Sequence, residues 1–387
     1  MDSIKVKIPQ HKLLIENPAF FNEIKSSQFS NSPNHKHEKT NNAFRREFTD
    51  KGIYTPKFHL LDVDFGVPDK SLVLEFSAAK LLHGTNLKEV SEANLPAIIA
   101  KLKAFLKTLG IGMFERDLYG ASVILIAYSR NIPVAHLGRV EQILRVIAPF
   151  NYRPRSQFNS VILRQGIHTT ELKYFNLNSH LTLYDKLTEI QHNPVTKEEK
   201  AIADYLRTGK NKPEFESWVK ETLRVELTLH NKVAVKQVMA KYYDKKNNYT
   251  LAEVFKDNIR DELLKTEIDN IFNHPLKEII LLSVYEKEVF QSVLKKFCKT
   301  FTQKSEIRTM LDILYSRGLK ALREEMMEGG SERTWFRKQK KLKAVAAQIQ
   351  LPKGIGQLDN ATVLEFILSQ FGIKSELRTP KQQILFK

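Results

Sequence analysis

The sequence of 387 residues contains a single cysteine, Cys298. One cysteine excludes an intrachain disulfide framework and any zinc site built from cysteine pairs. No stretch of eighteen apolar residues occurs, and the first ten residues lack the charged-then-apolar order of a secretory signal. We therefore expect a cytoplasmic protein with no membrane partner.

Glycine-rich phosphate-binding motifs are also missing. Neither G-x-G-x-x-G nor G-x-x-x-x-G-K-[ST] occurs in the sequence, which has 15 glycines in all. We therefore expect no nucleotide cofactor. This absence counts against one alternative, a different nucleotidyl-transfer enzyme that consumes a nucleoside triphosphate.

Acidic residues are in the minority. The chain has 61 Lys and Arg against 44 Asp and Glu, a formal net charge of +17. Such an excess favours polyanionic partners, nucleic acid first and an anionic membrane surface second. The run "RTWFRKQKKLK" (333–343) has six basic side chains and no acidic one. From it we predict DNA contacts by Arg333, Arg337, Lys338, Lys340 and Lys341, the alternative being a solvated helix face.

The hydrophobic pattern of residues 1–232 predicts an α+β fold. Strands are expected at 3–9, 57–65, 71–78, 121–129, 159–165, 170–177, 180–186 and 222–232. Amphipathic helices are expected near 92–109 and 137–148, and the polar stretch 26–52 predicts a flexible loop or insertion. We expect a mostly antiparallel sheet with helices packed on one side.

Residues 233–387 predict a mainly helical, basic DNA-binding domain. Helices are expected at 250–268, 275–301, 304–328, 331–348 and 360–372. Within 304–348, two helices separated at Gly318 precede a basic third helix, which is the order found in helix-turn-helix proteins. A helical bundle with a basic face is the alternative.

Five blocks of sequence resemble one protein family in order and spacing. They are "LVLEFSAAKLLHGTNLKEV" (72–90), "SVILIAYSRNIPV" (122–134), "HLTLYDKLTEI" (180–190), "LRVELTLHNK" (223–232) and "TLAEVFKDNI" (250–259). Over residues 55–270 the chain resembles the phage and plasmid replication proteins of the gene II/X group, which initiate rolling-circle replication of filamentous phages. The resemblance implies a replication-initiator-like nuclease core.

The resemblance also implies a function in the bacterial cytoplasm. Such proteins nick one strand of a double-stranded origin, leave a 3′-hydroxyl for the host polymerase and later rejoin the displaced single strand. Their expected partners are therefore origin DNA, the displaced strand, and the host helicase and polymerase. The alternative is a non-catalytic DNA-binding regulator of replication or copy number.

The catalytic residues follow from the same resemblance. The family's nucleophile is the tyrosine of a Tyr-x-Lys motif, which falls on Tyr184 with Lys186, and a carboxylate five residues further on falls on Glu189. A phosphotyrosyl link conserves bond energy, so rejoining needs no ATP. Strand alternation would place Tyr184 and Lys186 on one face. The triplet recurs as Tyr243-Asp244-Lys245 in a polar, lysine-rich loop after the strands, where we interpret it as a chance repeat, the alternative being a second nucleophile.

Glutamates are the predicted metal ligands. Glu75 and Glu226 each lie at the centre of an otherwise apolar strand, where a lone charge is costly unless it is paired or bound to metal. With Glu189 they would suit Mg²⁺ or Mn²⁺. The alternative for Glu226 is an ion pair with Arg224, two residues away on the same face. The only closely spaced histidines, His35-Lys36-His37, lie in the polar loop and are rejected.

Two further basic residues are candidates for phosphate contacts. Lys80 matches a lysine of the family's first block, and Arg130 follows the end of the strand predicted at 121–129, where a phosphate contact would be natural. A surface lysine at a helix start is an equally good interpretation of Lys80.

Overall fold

A computed structural model describes most of the chain. The described residues are 1–16, 53–64, 67–148, 150, 159–165, 168–175, 177–210, 221–272, 294–295, 298–328, 330–346 and 360–373. The predicted loop at 26–52 with its two histidines lies outside them, as does most of the helix predicted at 275–301.

Ten strands and twelve α-helices occur in the described residues. The strands are β1 (Ser3–Pro9), β2 (Leu14–Ile15), β3 (Lys57–Asp64), β4 (Val67–Ser77), β5 (Ile111–Gly112), β6 (Ser122–Pro133), β7 (Asn159–Gln165), β8 (His168–Phe175), β9 (Ser179–Asp185) and β10 (Thr222–Leu229). The helices are α1 (Ala78–His83), α2 (Leu95–Thr108), α3 (Glu115–Tyr119), α4 (Val140–Ile147), α5 (Lys186–His192), α6 (Lys197–Thr208), α7 (Lys232–Met239), α8 (Leu251–Val254), α9 (Asp257–Phe272), α10 (Phe301–Glu328), α11 (Glu332–Ala346) and α12 (Asn360–Ser369).

The chain folds into two compact units. The first contains residues 1–133 and 177–262, and the second contains 134–176 and 263–387. This division differs from the expected boundary at 232. Helices α7 and α8 pack on β6 and so stay with the first unit, whereas α4 packs on β8 and α12 within the second unit.

The first unit is built on an antiparallel sheet. Its strands lie in the order β3-β4-β1-β6-β10-β9, and every pair in this series is antiparallel. The strand order explains why residues far apart in sequence meet, since the N-terminal β1 lies between β4 and β6. The second unit carries an antiparallel hairpin of β7 and β8 with α4 and a helical C-terminal region. The predicted α+β class is confirmed.

Alternation along the central strands separates an apolar face from a polar one. On β10, Leu223, Val225, Leu227 and Leu229 are buried and alternate with polar side chains. Helix α7 packs against β6 and β10, and the buried Ala234 and Val235 lie on it. The residues that alternate with this leucine row point to the opposite face, which is where the predicted catalytic residues lie.

The C-terminal helices follow the predicted break. Helix α10 is interrupted at Gly318, whose φ of 79° and ψ of 179° lie outside the helical region. Glycine tolerates this positive φ without the steric cost that a Cβ would bring. Helix α11 then begins at Glu332, after a second break. Three helical segments in this order agree with the predicted pattern over 304–348.

Candidate functional site

A polar row crosses the middle strands of the first unit. In the antiparallel ladder Tyr184 on β9 pairs with Arg224 on β10, and Arg224 pairs with Asn131 on β6. Directly opposed residues of neighbouring strands share a face, so these three side chains meet there. Glu226 lies two residues along β10 on the same face. The sequence thus brings a phenol, a guanidinium and a carboxylate together through strand register alone.

Arg224 lies at the centre of this row and is fully buried. Its Nη2 is 2.6 Å from Oδ2 of Asp2, and its Nε is 3.1 Å from Oε2 of Glu226. Nη1 donates to Oδ1 of Asn131 at 2.9 Å and to the carbonyl oxygen of Asn86 at 3.0 Å. A buried guanidinium is tolerated because its donors are satisfied and two carboxylates compensate its charge. The predicted alternative for Glu226, an ion pair with Arg224, is therefore present.

Tyr184 contacts the same carboxylate. Its hydroxyl lies 3.4 Å from Oε2 of Glu226, which is long for a hydrogen bond, although catalytic hydrogen bonds often shorten only when substrate binds. Burial raises the pKa of Tyr184 well above its ordinary value of 10, and Arg224 opposes this shift. The phenol is therefore protonated at neutral pH and needs a base to become a nucleophile.

Glu226 has the properties of such a base. Burial, and after it the nearby Asp2, raises the pKa of Glu226 above its ordinary value of 4.5, against the influence of Arg224. A general base works best when its pKa approaches the working pH. Thr228 also contacts Glu226, with its Oγ1 3.5 Å from Oε1. The arrangement can therefore transfer a proton from Tyr184 to Glu226.

The structure corrects the predicted placement of Lys186. We expected Lys186 to continue the strand, but β9 ends at Asp185, whose carboxylate accepts from the backbone N–H groups of Leu187 and Thr188 and caps helix α5. Lys186 is the first residue of that helix and is fully buried, with its Nζ 5.7 Å from the centroid of the Tyr184 ring. Burial lowers its pKa. Its ammonium pairs with Glu189.

The three predicted metal ligands do not form one site. Glu189 pairs with Lys186 and Glu226 with Arg224. Glu75 lies on β4 between Lys5 and Lys57, at 3.5 and 3.3 Å. Strands β1 and β6 separate β4 from β10, so the backbones of Glu75 and Glu226 are roughly 14 Å apart or more at the usual strand spacing.

The strand glutamates Glu75 and Glu226 were predicted either to form ion pairs or to bind metal, and both form ion pairs. Lone acids in apolar strands need compensation, and here the cation is a basic side chain in each case. In the described part of the chain no group of three or more His, Cys, Asp or Glu side chains is placed to hold a metal ion. These glutamates therefore do not fit a common Mg²⁺ site.

The two candidate phosphate ligands of the first unit already have carboxylate partners. Nζ of Lys80 lies 2.9 Å from Glu199, and both side chains are largely buried. Strand β6 continues to Pro133, so Arg130 lies within the strand and not after its end as predicted. Arg130 lies 3.3 Å from Asp261, which also contacts Arg260. Lys80 thus forms an ion pair that is largely buried.

The basic run divides between two faces of α11. Lys338 and Lys341 both pair with Glu306 of α10, at 3.0 and 2.7 Å. Arg333, Arg337 and Lys340 are exposed. Of the five predicted DNA contacts, the exposed Arg333, Arg337 and Lys340 are the ones that a polyanion can reach without breaking an ion pair.

Tyr243 has a different environment from Tyr184. It follows helix α7, and its hydroxyl donates to the backbone carbonyl of Glu253 at 2.9 Å. Burial raises its pKa as well. This partner is a backbone carbonyl and not a carboxylate that could remove the proton of Tyr243.

Sequence reasoning missed Asp2, which joins the polar row from the start of the chain. Asp2 Oδ1 accepts from Ser77 at 2.7 Å and Oδ2 accepts from Asn86 at 3.2 Å, in addition to the contact with Arg224. No local pattern marks this aspartate, because all three partners are distant in sequence. Burial alone would raise its pKa, but Arg224 holds the pKa of Asp2 well below its ordinary value of 3.8.

A pair of histidines was also missed. Nδ1 of His180 on β9 contacts Nε2 of His230 just after β10, and the two ring centroids are 4.2 Å apart. His180 lies on the same strand face as Tyr184. Two imidazoles supply two donors, fewer than the three protein ligands of a catalytic zinc site. A register prediction for β9 and β10 would have been the only signal for this pair.

The chain was compared with protein-family models, with curated proteins and with solved structures. No protein-family model matches the chain, and searches of curated proteins and of solved structures find no match. Within the described ranges, no helix combines the length and the apolar character needed to cross a membrane.

Proposed function

We propose that the chain is a rolling-circle replication initiator that nicks and rejoins one strand of origin DNA through Tyr184. The observation that supports this most is the 3.4 Å contact between the Tyr184 hydroxyl and Glu226, on a polar sheet face beside Arg224. The resemblance of the five sequence blocks to the gene II/X group supplies the substrate. We further propose that the protein acts in the bacterial cytoplasm with the host helicase and polymerase.

The cleavage step requires a nucleophile and a proton acceptor. As the Tyr184 oxygen attacks the phosphorus in line, its proton passes to Glu226. The bond from phosphorus to the 3′-oxygen breaks, and that oxygen takes up a proton from water to become the 3′-hydroxyl. The product is a 5′-phosphotyrosyl link, and rejoining reverses these steps with the 3′-hydroxyl as nucleophile.

Two cations lie beside the proposed nucleophile, and each is held by a carboxylate. Arg224 keeps Glu226 in place through its Nε, and the ammonium of Lys186 lies close to the phenol ring. Fixed charges in a partly buried site stabilise developing negative charge more effectively than mobile ones in water. The resemblance implies Mg²⁺ or Mn²⁺, but the three predicted glutamates do not fit one metal site. The proposed cleavage steps therefore use only side chains of the protein.

A covalent adduct is the direct test of this function. The full chain is incubated with supercoiled circular DNA cloned from the replicon that encodes it, with Mg²⁺ and in parallel with EDTA. We expect nicked circles and an SDS-resistant protein–DNA adduct that peptide mass mapping assigns to Tyr184. Tyr184→Phe should abolish the adduct and retain DNA binding, whereas Tyr243→Phe serves as the matched control and should retain both.

An adduct at Tyr243, or no adduct either with Mg²⁺ or with EDTA, would refute the nickase proposal. The second candidate is then a non-catalytic DNA-binding regulator. It is favoured by one observation, that burial keeps the Tyr184 phenol protonated within an already compensated ion network. Maintenance of the replicon by Tyr184→Phe in cells would support the regulator.

A further inference from the structure

The outward face of helix α11 combines cations with an exposed aromatic ring. Phe336 is 61% exposed, and Arg333 and Lys340 lie three residues before and four residues after it. These two cations are exposed, as is Arg337, which is at helical spacing from both. At 3.6 residues per turn, the three cations lie within about 60° of one another around the helix, with the ring beside them. We call Arg333, Phe336, Arg337 and Lys340 the α11 outer face.

Packing fixes which side of the helix faces outward. Trp335, Leu342 and Val345 are buried, and by helical spacing they lie opposite the outer face. Lys338 and Lys341, on the flank of the helix, are held by Glu306. The helix therefore cannot turn its outer face inward without exposing a tryptophan and breaking two ion pairs.

The charges on the outer face are unfavourable for the isolated helix. Arg333 and Arg337 are four residues apart, a spacing at which like charges repel along a helix. Arg333 also lies in the first turn, where the helix dipole disfavours a cation. Among the described residues, Arg333, Arg337 and Lys340 form no ion pair. An external polyanion would relieve this repulsion.

We propose that the α11 outer face enters the major groove of duplex DNA and that Phe336 contacts the methyl group of a thymine there. The major groove is about 12 Å wide and accepts one α-helix. Arginine and lysine can pair with guanine or phosphate, and phenylalanine can pack on the thymine methyl. This inference rests on the DNA-binding part of the proposed function and does not depend on chemistry at Tyr184.

The test uses binding alone. The full chain selects its preferred sequences from a library of random duplexes. Each thymine of the selected site is then replaced by uracil, which keeps the base pair and removes only the methyl group. For one thymine we expect wild-type affinity to fall about fourfold, the value of one buried methyl contact.

Three variants connect this loss to the ring. Phe336→Ala should bind the thymine and uracil duplexes equally, and Phe336→Leu, which keeps an apolar side chain, should regain the preference for thymine. Phe301→Ala is the matched control, because Phe301 is 86% exposed at the start of α10 and should behave as wild type. Since Phe336 is largely exposed, its variants should keep the wild-type circular dichroism spectrum.

Two outcomes would overturn this inference alone: a preference for thymine that persists in Phe336→Ala, or a single strand of the selected site that binds at least as tightly as the duplex. The latter would indicate that the ring stacks on unpaired bases. If wild type binds no DNA at all, the proposed function fails with the inference. If duplex binding follows the expected pattern and no Tyr184 adduct forms, only the nickase proposal fails.

Discussion

Replacing Arg224 by methionine should strongly destabilise the first unit. The substitution preserves much of the side-chain volume but leaves Asp2 and Glu226 without their shared cation. Removing one partner of a buried ion pair typically costs about 3–5 kcal/mol, because the remaining charge is buried and uncompensated. A natural domain has only about 5–15 kcal/mol of stability in total, so the loss should be easy to measure.

Equilibrium unfolding in urea, followed by far-ultraviolet circular dichroism, measures this cost. With a slope of about 2 kcal/mol per M, the midpoint should fall by roughly 1.5–2.5 M. The control is Lys103→Met, which breaks an ion pair to Glu115 at 3.4 Å between two half-exposed side chains. That variant should change stability by less than about 1 kcal/mol.

A rescue experiment separates charge from packing. If the cost comes from uncompensated carboxylates, then adding Asp2→Asn and Glu226→Gln to Arg224→Met should recover a large part of the stability. A triple variant as unstable as Arg224→Met would refute the reasoning. So would an Arg224→Met protein with the midpoint of the Lys103→Met control.

Three further predictions concern the same unit. Arg224 depresses the folded-state pKa of Asp2 below 3.8, so the stabilisation from ionised Asp2 is complete above about pH 5 and is lost as the pH falls below 3.8. Wild type and Asp2→Asn should therefore differ most in stability near neutral pH and converge in acid. Urea midpoints measured across pH would show this difference. Lys80→Met should lower stability by several kcal/mol, about 3–5, by leaving Glu199 buried and unpaired, yet leave the salt dependence of DNA binding unchanged; a shallower slope would instead show that Lys80 contacts phosphate. Glu226→Gln should slow single-turnover nicking at least about 100-fold with unchanged DNA binding, and the wild-type rate should rise with pH around a pKa above 4.5; equal rates for the two proteins would contradict the role of Glu226 as base.

Local patterns predicted several secondary-structure elements of both units correctly. The alternation in "SIKVKIP" gives a strand that the structure places at Ser3–Pro9, and the apolar run in "NSVILRQ" gives Asn159–Gln165. The predicted break at Gly318 is confirmed. These features depend on backbone geometry and on which face of an element is apolar, both of which a short segment reveals. The pattern overran the end of β9, because the capping carboxylate of Asp185 ended the strand one residue before Lys186.

The ion partners in the polar row could not all be predicted from local sequence patterns. Tyr184 and Glu226 stand out in the sequence, but the cation between them is balanced by Asp2, which lies 222 residues from Arg224. Glu75 was likewise predicted to bind metal, and in the structure it pairs with Lys5 and Lys57 of the two neighbouring strands.

Local sequence patterns therefore predict the fold class, the strand that carries Tyr184 and the basic third helix near the C-terminus. The tertiary structure decided which charges are compensated, which lysines face solvent and which residues divide between the two units. The physical reason is that periodicity records whether a position is buried, whereas the partner of a buried charge is set by strand order and register. Those depend on contacts between segments that are far apart in the chain.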